Sequence, residues 1–463
     1  MNKMSFEIPV VRRKDVVVIG GGCAGIAAAI CAARHGAKTL LVESNGVLGG
    51  MATAGLVGPF MTCYDPDGQN QVIKGFFDEF VREMEKRGGA IHPEKVQAGT
   101  SFAGYRVYGH AHCGPFNSEA FKRVAEDLCT ESGVELLYHT MFVSPCMSED
   151  GKKIEGAVFA TKSGLIQVNA KIFIDCTGDA DVAYRSGVPC AYGDEDGQTQ
   201  PSSLFFTVRG VDKEKLETIR EESGDFKTIF FQEMIQKEIE EGRYHVPRNK
   251  LAVYENPDGT FRVNMSRVYL NDGCDPFEVT AASIKGRQQI EEILSMMRRL
   301  LPGCEKVELV NSASMLGLRE TRRIQGDFVL TGGDIKSKRQ FEDVIFLSGN
   351  SIDMHSGSAV NYQPASGAPY QVPYRILLPQ KVENLLVAGR CSSMDRVALA
   401  AIRVMPPVFA MGQAAGTAAA ICVEQNVQLA KAPMDMLQKM LIDDGVRLNF
   451  EDERKYFHPL SLL

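Results

Sequence analysis

A glycine-rich turn near the start of the chain constrains its fold more than any other feature. Residues 15–43 read DVVVIGGGCAGIAAAICAARHGAKTLLVE, in which a short apolar run precedes three glycines with G-x-G-x-x-G spacing. The apolar run is typical of a strand buried on both faces, and the alanine-rich stretch after the turn predicts a helix that stops at Gly36. The residues TLLVE predict a second strand that ends at Glu43. This order of strand, turn, helix, strand and acid indicates a dinucleotide-binding βαβ unit.

Each of these residues has a physical role in holding a dinucleotide. Gly20 permits the tight turn out of the strand, and Gly22 lets a pyrophosphate approach the backbone at the positive end of the helix. Gly25 lets the helix lie close to the strand. The carboxylate of Glu43 can accept hydrogen bonds from ribose hydroxyls and would repel a 2′-phosphate, which disfavours NADP. The turn alone does not distinguish NAD from FAD.

Four later segments favour FAD. In SNGVLGGMATAG, Gly49 and Gly50 form a second loop whose backbone can face an anion, which suits a longer ligand. The stretch NSEAFKRVAEDLCTESGVELLYHTMFVSP predicts a helix capped at Asn117 or Ser118, and IEGAVFATKSGLIQVNAKIFIDCTGDADV predicts a β-meander whose last strand runs into Gly178. Near the C-terminus, VENLLVAGRCSS predicts another buried strand, and MPPVFAMGQAAGTAAAICVEQ predicts a small-residue helix. A parallel sheet assembled from both ends of the chain, with a large insertion between them, fits a flavoprotein better than a dehydrogenase.

The net charge, the absence of long apolar runs and the cysteine pattern disfavour several other classes of protein. The net charge is −7 in 463 residues, so neither a nucleic-acid partner nor an anionic membrane surface is expected. No signal peptide and no apolar run of membrane-spanning length is recognised. The 12 cysteines form no C-x-x-C pair, which argues against an iron–sulfur centre and fits a reducing, cytoplasmic location. In GHAHC, His110 and His112 lack further ligands at zinc spacing, so no metal site is predicted.

Taken together, these motifs resemble those of the FAD-dependent oxidoreductases of the glutathione-reductase superfamily. More narrowly, the chain looks like the branch related to fumarate reductase and succinate dehydrogenase flavoprotein subunits. The resemblance covers nearly the whole chain and rests on GGGCAGIAAAI…LLVE, GVLGGMATAG, GLRETRRIQGDFVLT, DMH, YQVPYRILLP, NLLVAGRCSS and RVMPPVFAMGQAAGTAAA. It implies an α/β fold: a Rossmann-like FAD-binding domain with three layers (parallel sheet plus β-meander) from residues 1–200 and 381–463, and an inserted α+β substrate or cap domain over residues 201–380.

The resemblance also implies cofactor contacts. The ADP half of FAD would be held by Gly20, Gly22, Gly25 and Glu43, with Gly178 near the dinucleotide. The remaining contacts would be made by Gly49, Gly50 and Thr53 along the pyrophosphate and ribityl region, and by Gly389, Arg390, Gly412, Gln413, Gly416 and Thr417 at the ribityl chain and isoalloxazine. The last strand ends in AGR, where many relatives have an acidic residue after the glycine. No motif corresponds to the histidine-linked flavin of the respiratory relatives, so the FAD is expected to be non-covalent.

Two segments of the insertion supply candidate catalytic residues. In SMLGLRETRRIQGDFVLT, Arg319, Arg322 and Arg323 are predicted to lie on a helix, where Arg319 shares a face with the other two. Such a cluster indicates either an anion such as a carboxylate substrate or a structural helix whose salt bridges use Glu320 and Asp327. The functional interpretation assigns catalysis to Arg319, Arg323 and the histidine described next.

In SGNSIDMHSGS, His355 is the natural proton donor or acceptor near neutral pH. Asp353, two residues away on an extended strand, points to the same side and could orient the ring. A hydrogen-bonded structural histidine is the alternative.

These residues predict a hydride transfer between flavin N5 and a small polar, possibly carboxylated, substrate. The alternative is an FAD-dependent hydroxylase or an RNA-modifying flavoprotein. The sequence contains no second G-x-G-x-x-G in strand–turn–helix context, so NAD(P)H is expected to reduce the flavin poorly. The electron donor or acceptor is left open, and a homo-oligomer is a possible assembly.

Overall fold

The computed structural model describes residues 7–106, 112–223, 230–356 and 359–450. The strands are β1 (Val10–Ile19), β2 (Thr39–Val42), β3 (Glu135–Leu137), β4 (Met141–Met147), β5 (Ile154–Thr161), β6 (Gly164–Asp175), β7 (Cys190–Tyr192), β8 (Phe206–Arg209), β9 (Val253–Glu255), β10 (Phe261–Val263), β11 (Glu308–Ser312), β12 (Arg322–Ile324), β13 (Val344–Ser348), β14 (Ile352–Ser356), β15 (Ala359–Gln363), β16 (Tyr370–Pro373) and β17 (Leu385–Val387). The helices are α1 (Cys23–Arg34), α2 (Phe76–Lys86), α3 (Ser118–Glu131), α4 (Asp181–Arg185), α5 (Lys213–Ser223), α6 (Gln232–Glu240), α7 (Pro276–Leu300), α8 (Gly332–Ser337), α9 (Arg396–Ile402), α10 (Met405–Gln425) and α11 (Met434–Asp443).

The main sheet confirms the predicted α/β fold. Its strand order is β3-β2-β1-β6-β5-β4, and β17 also pairs with β6. The strands β3, β2, β1, β6 and β17 are parallel, whereas β4, β5 and β6 form an antiparallel meander. Strands from both ends of the chain therefore lie in one sheet, and the carboxyl ends of β1, β2, β6 and β17 meet at one edge.

Both faces of β1 are buried over Val16–Ile19, as this uninterrupted apolar run predicts. Val16 and Val18 belong to the core beneath the helices, whereas Val17 and Ile19 belong to a separate core on the other face. On the helical face, α1 and α10 pack closely side by side. A Cβ added at Gly412 would overlap the carbonyl oxygen of Ala24. The small residues of both helices thus allow direct backbone contact.

The middle of the chain has a core of its own. Buried residues from Leu204 to Leu316 form most of it, with Leu56 and Tyr105 added from the N-terminal part of the chain. The core includes residues of the four-stranded sheet of order β11-β8-β10-β9 and of one face of α7. By contrast, Leu330 to Leu377 pack into the core that contains α1 and α10. We propose that the inserted unit ends near residue 318, earlier than the boundary at 380 that the sequence suggested.

A buried arginine ties this inserted core to the N-terminal part of the chain. Arg262 of β10 donates to the carbonyl oxygen of Val57 over 2.8 Å, to that of Phe116 over 2.8 Å, and to Oγ of Ser118 over 3.0 Å. Its guanidinium also lies 4.1 Å from the ring centroid of Phe116. These oxygen atoms accept hydrogen bonds from the buried guanidinium, and the bonds hold β10 beside the start of α3.

Among the described helices, α10 is long and apolar enough to cross a bilayer, and 89% of that stretch is buried inside the protein.

Candidate active site

The N-terminus of α1 faces open space at the carboxyl edge of the sheet. Gly22 precedes the helix, no side chain caps it, and its first turn contains no acidic residue. A Cβ added at Gly22 would meet no atom within 4 Å, whereas one at Gly20 would overlap the Cys176 carbonyl and one at Gly25 the Gly20 carbonyl. Gly20 and Gly25 thus allow close packing. Gly22 leaves the free N–H groups of the helix accessible to a phosphate.

Glu43 lies beside this turn and keeps acceptor capacity. Its Oε1 accepts from the Asn45 backbone over 2.7 Å, from Asn45 Nδ2 over 2.8 Å and from Ser44 over 3.0 Å. Within the part of the chain that the structure describes, its Oε2 accepts only from the N–H of Gly21, over 2.6 Å. A carboxylate oxygen can accept two hydrogen bonds, so Oε2 retains a site for a ribose hydroxyl.

The second glycine loop lies directly against the first. The N–H of Gly49 donates to the Gly21 carbonyl over 2.8 Å, and a Cβ added at Gly50 would be 3.3 Å from Cα of Gly22. Gly49 and Gly50 both have positive φ, at 107° and 50°. The hydroxyl of Thr53 donates to the Leu48 carbonyl over 2.6 Å, so Thr53 holds this loop in place. The structure therefore brings the two predicted phosphate-facing loops together.

The ends of β6 and β17 are linked by Arg390. Its guanidinium pairs with Asp179, and Gly178 lies against it, since a Cβ at Gly178 would be 3.3 Å from the guanidinium carbon. The Nε atom of Arg390 is buried and has no hydrogen-bond partner among the described residues. Gly389, with φ of 114°, donates its N–H to the sulfur of Met411 over 3.0 Å. The predicted contacts at Gly178, Gly389 and Arg390 thus occupy the same sheet edge as the glycine turn.

The four predicted contacts in α10 are engaged in packing. Gly412 and Gly416 face α1, as described for Gly412, and Gln413 accepts the N–H of Phe76 over 3.0 Å at the start of α2. The hydroxyl of Thr417 donates to the Gln413 carbonyl over 2.9 Å. Packing and hydrogen bonds within the protein are enough to explain why these four residue types occur here. Direct contact of the four residues with a cofactor therefore stays a prediction.

The arginine segment is not helical, and this part of the sequence interpretation is wrong. Arg322–Ile324 is strand β12, with Arg322 opposite Tyr192 of β7. The i, i+3 and i+4 spacing of arginines is indistinguishable from a helical face in sequence, but pairing with β7 decides the conformation. Arg322 pairs with Asp181 over 2.6 Å.

Arg323 is neutralised and does not join Arg319. Its guanidinium pairs with Glu320, which is fully buried and also accepts from Arg396 over 2.9 Å. Arg323 additionally donates to the Gly193 carbonyl over 3.2 Å. The structural alternative, a salt bridge with Glu320, therefore describes Arg323, and the catalytic assignment to Arg323 has no geometric support.

Arg319 instead lies in a cluster of cations. It donates to the Pro201 carbonyl and, over 3.0 Å, to Ser203 Oγ, but no carboxylate of the described residues lies within ion-pair distance. Burial, and after it the positive charges of Arg403 and Arg248, lowers the pKa of Arg319 to about 9. A buried cation without a counter-ion is costly, so the site favours an anionic ligand.

His355 and Asp353 face this cluster on β14. The Nη2 group of Arg267 lies 3.0 Å from Nδ1 of His355, and Nε2 of His355 lies 3.1 Å from Oδ2 of Asp353. Burial, followed by the charge of Arg319, lowers the pKa of His355 to about 3. Desolvation raises the pKa of Asp353, but the hydrogen bond from His355 and the charges of His355, Arg403 and Arg319 hold that pKa well below its usual range. The structure thus brings His355 and Asp353 together, and the catalytic role of His355 stays a prediction.

Five cationic members of this cluster were not found from the sequence. They are Arg106, Arg248, Lys250, Arg267 and Arg403. Arg403 lies two residues before the start of α10, within the RVMPPVF motif, and donates to the Gln200 side chain and the Asp353 carbonyl over 3.0 and 2.8 Å. That motif was the one available signal, because the other four occur in segments without a recognisable pattern. His112, from the histidine pair, stacks on Tyr64 instead, and His110 lies outside the described residues.

The site combines a parallel sheet, an accessible glycine turn, an acidic residue at the end of the next strand and a cluster of cations. These features together define a dinucleotide-binding redox protein. The profile of the family described as FAD dependent oxidoreductase matches residues 15–441. The chain belongs to this family, and its cofactor is FAD. The accessible α1 N-terminus, Gly22 and the free acceptor site on Glu43 fit the ADP part of that cofactor.

Three solved structures illustrate the similarity of the chain to known proteins. A geranylgeranyl bacteriochlorophyll reductase-like protein from Thermoplasma acidophilum is 14% identical over 94% of this chain and 85% of its own, with a TM-score of 0.49. A p-nitrophenol 4-monooxygenase from Pseudomonas putida is 11% identical over 96% and 92%, with a TM-score of 0.47. An L-amino acid deaminase from Proteus myxofaciens is 12% identical over 92% and 93%, with a TM-score of 0.46.

Proposed function

We propose that this FAD-dependent oxidoreductase exchanges a hydride with a small polar substrate that carries an acidic group. The observation that carries the proposal is Arg319, which is half-buried near the positive charge of Arg403 and pairs with no carboxylate of the described residues. When bound, the flavin supplies the hydride chemistry, so the protein has to bind, orient and shield the substrate. Arg319 and Arg403 would bind the acidic group, and Asp353 would hydrogen-bond the polar group that exchanges a proton.

The proposed cofactor contacts comprise the residues at the sheet edge. They are Gly20, Gly22, Gly25, Glu43, Gly49, Gly50, Thr53, Gly178, Gly389 and Arg390, with Gly412, Gln413, Gly416 and Thr417 supporting them through α10. We also propose a cytoplasmic location, since all 12 cysteines are free thiols.

A ligand titration of the FAD-loaded protein tests the substrate proposal. Small carboxylic acids are expected to perturb the flavin absorbance spectrum with saturation, and Arg319→Met is expected to weaken their binding at least tenfold, about 1.4 kcal/mol. Arg209→Met is the matched control, because Arg209 is exposed and pairs with the exposed Glu308. Equal binding by both variants would remove Arg319 from the proposal.

The hydroxylase alternative gives a different result in the same preparation. A hydroxylase consumes oxygen and a reduced nicotinamide nucleotide together when substrate is present. Oxygen uptake that requires both NAD(P)H and an added aromatic or nucleic-acid substrate would replace the proposed function with that alternative.

A further inference from the structure

We infer that Gln200 is a positioning residue that makes the site selective for anions, because its amide oxygen holds Arg403 in place without neutralising its charge. The inference rests on the proposed function, in which Arg319 and Arg403 bind the acidic group of the substrate. It adds a residue that acts through Arg403 and determines whether the site prefers an acid or a neutral molecule of the same shape.

The side chain of Gln200 joins Arg403 to strand β14. Its Oε1 atom accepts from Nη2 of Arg403 over 3.0 Å and from the backbone N–H of His355 over 3.2 Å. Nη2 of Arg403 also donates to the carbonyl oxygen of Asp353 over 2.8 Å. Gln200 is 1% exposed, so this link between Arg403 and β14 is buried. The position of Arg403 is therefore set by two neutral oxygen atoms.

The orientation of the Gln200 amide follows from these bonds. A flipped amide would place its NH2 group against two other donors, the guanidinium of Arg403 and the backbone N–H of His355. The Nε2 atom therefore points away from both, and it is buried without a hydrogen-bond partner among the described residues. A buried N–H without an acceptor is costly, so the bonds made by Oε1 do not by themselves explain why an amide occurs here.

A glutamate at this position would accept the same two bonds and would also compensate the charge of Arg403. The protein uses a carboxylate for that purpose nearby, where the buried Glu320 pairs with Arg323 and Arg396. The backbone N–H of Gln200 itself donates to Oε2 of Glu320 over 3.2 Å. Arginines held by a carboxylate and an arginine held by an amide therefore lie close together, and only the second kind keeps its charge for a ligand.

The residues that follow Gln200 hold Arg319 in the same way. The carbonyl oxygen of Pro201 and Oγ of Ser203 accept from its guanidinium, the second over 3.0 Å. Main-chain bonds fix this segment, since the N–H of Gly317 donates to the Ser203 carbonyl over 2.8 Å. One short segment thus positions both proposed acid-binding arginines with neutral acceptors.

The test compares a carboxylic acid with its neutral amide on the FAD-loaded protein. Propionate and propionamide are titrated at fixed ionic strength and neutral pH, and binding is followed by flavin difference spectra and by calorimetry. The wild type is expected to bind propionate about tenfold or more tightly than propionamide. Gln200→Glu keeps both bonds and adds a negative charge, so it is expected to abolish that preference and to leave propionamide binding within about twofold.

Two further variants separate charge from position. Gln200→Met is neutral and cannot accept a strong hydrogen bond from Arg403, so it is expected to weaken propionate binding about threefold or more while the acid remains preferred. Gln425→Glu is the matched control for the added charge, because Gln425 is exposed and ends α10, about 30 Å along the helix from Arg403. It is expected to bind both ligands as the wild type does. Flavin content and far-UV circular dichroism verify folding.

The outcomes separate this inference from the proposed function. If Arg319→Met weakens propionate binding but Gln200→Glu keeps the acid preference, or Gln200→Met binds propionate as tightly as the wild type, the role of Gln200 is refuted and the proposed function stands. An equal loss of preference in Gln425→Glu refutes that role as well. If Gln200→Glu retains no flavin, the result for Gln200→Met decides. If the wild type does not prefer propionate to propionamide, both proposals fail.

Discussion

Arg267 donates a hydrogen bond to Nδ1 of His355 over 3.0 Å, and a guanidinium has no lone pair with which to accept one in return. Nδ1 must therefore be unprotonated, so the ring proton resides on Nε2 and is donated to Asp353. Both ring nitrogens are occupied by protein groups. We therefore propose that His355 positions Asp353, whose carboxylate stays ionised and can accept a hydrogen bond from a ligand.

Replacing His355 by glutamine tests this tautomer. The glutamine oxygen can accept from Arg267 while its amide donates to Asp353, so His355→Gln is expected to retain acid binding within about twofold. His355→Leu, which can make neither bond, is the matched loss-of-function control. A glutamine variant as impaired as the leucine variant would show that the imidazole itself is required.

Stability as a function of pH gives a second test of the same residue. The folded-state pKa of His355, about 3, is below its unfolded value near 6.5, so the unfolded chain binds a proton that the folded protein excludes. The contribution of His355 to stability is therefore expected to fall as pH decreases from 6.5 toward 3. Urea unfolding of wild type and His355→Gln should show the wild type losing its relative stability across that range. A pH-independent difference would contradict the shift.

Glu320 should be among the most stability-sensitive carboxylates. Its removal leaves the guanidinium of Arg323 buried without a counter-ion and deprives Arg396 of one acid, so Glu320→Ala is expected to cost about 3–5 kcal/mol. Asp443→Asn breaks only an exposed pair with Lys439 and should cost less than about 1 kcal/mol. Chemical denaturation of the FAD-loaded proteins measures both, and a small loss at Glu320 would mean that the pair is not buried as described.

Two glycines should respond oppositely to alanine. Gly22 has φ of −73° and open space at its Cβ position, so Gly22→Ala is expected to fold normally but to bind FAD at least about tenfold more weakly. At Gly412 the added methyl would overlap the Ala24 carbonyl, so Gly412→Ala is expected to destabilise the apoprotein by about 1–3 kcal/mol. Fluorescence titration of apoprotein with FAD and urea unfolding distinguish them. Unchanged FAD affinity in Gly22→Ala would argue against this cradle.

Reduced nicotinamide nucleotides should be poor reductants of the bound flavin. The sequence has a single G-x-G-x-x-G turn, and Gly22 within it is assigned to the ADP half of FAD. Anaerobic mixing with NADPH or NADH should bleach the flavin band only slowly, while dithionite bleaches it fully. Rapid stoichiometric bleaching by either nucleotide would reveal a nicotinamide site elsewhere.

Short sequence patterns were enough to predict much of the fold and the glycine turn at residues 20–25. The N-cap at Asn117, the entry of α10 beside Pro406 and the strands around the glycine turn follow from short-range signals, and the structure contains all of them. The prediction of a helix around Arg319 was wrong because β12 forms by pairing with β7, about 130 residues earlier in the chain. No local pattern encodes such pairing.

The cationic site was only partly predictable for the same reason. Arg319 and His355 were recognised as polar residues in motifs, but Arg248 and Arg267 acquire their role from where the folded chain places them. Arg323 was misassigned because a buried partner, Glu320, is visible only after folding.

The bonds of Arg262 to Val57, Phe116 and Ser118 have a consequence for protein engineering. A chimera that joins the central segment of this chain to the terminal segments of a relative contains the guanidinium of Arg262. It lacks the oxygen atoms of Val57, Phe116 and Ser118 that accept hydrogen bonds from that guanidinium. Such a hybrid would bury Arg262 without hydrogen-bond acceptors where the two parts meet, which destabilises the fold. Donor and recipient must therefore match at 57–60 and 116–118 for the exchange to yield a folded flavoprotein.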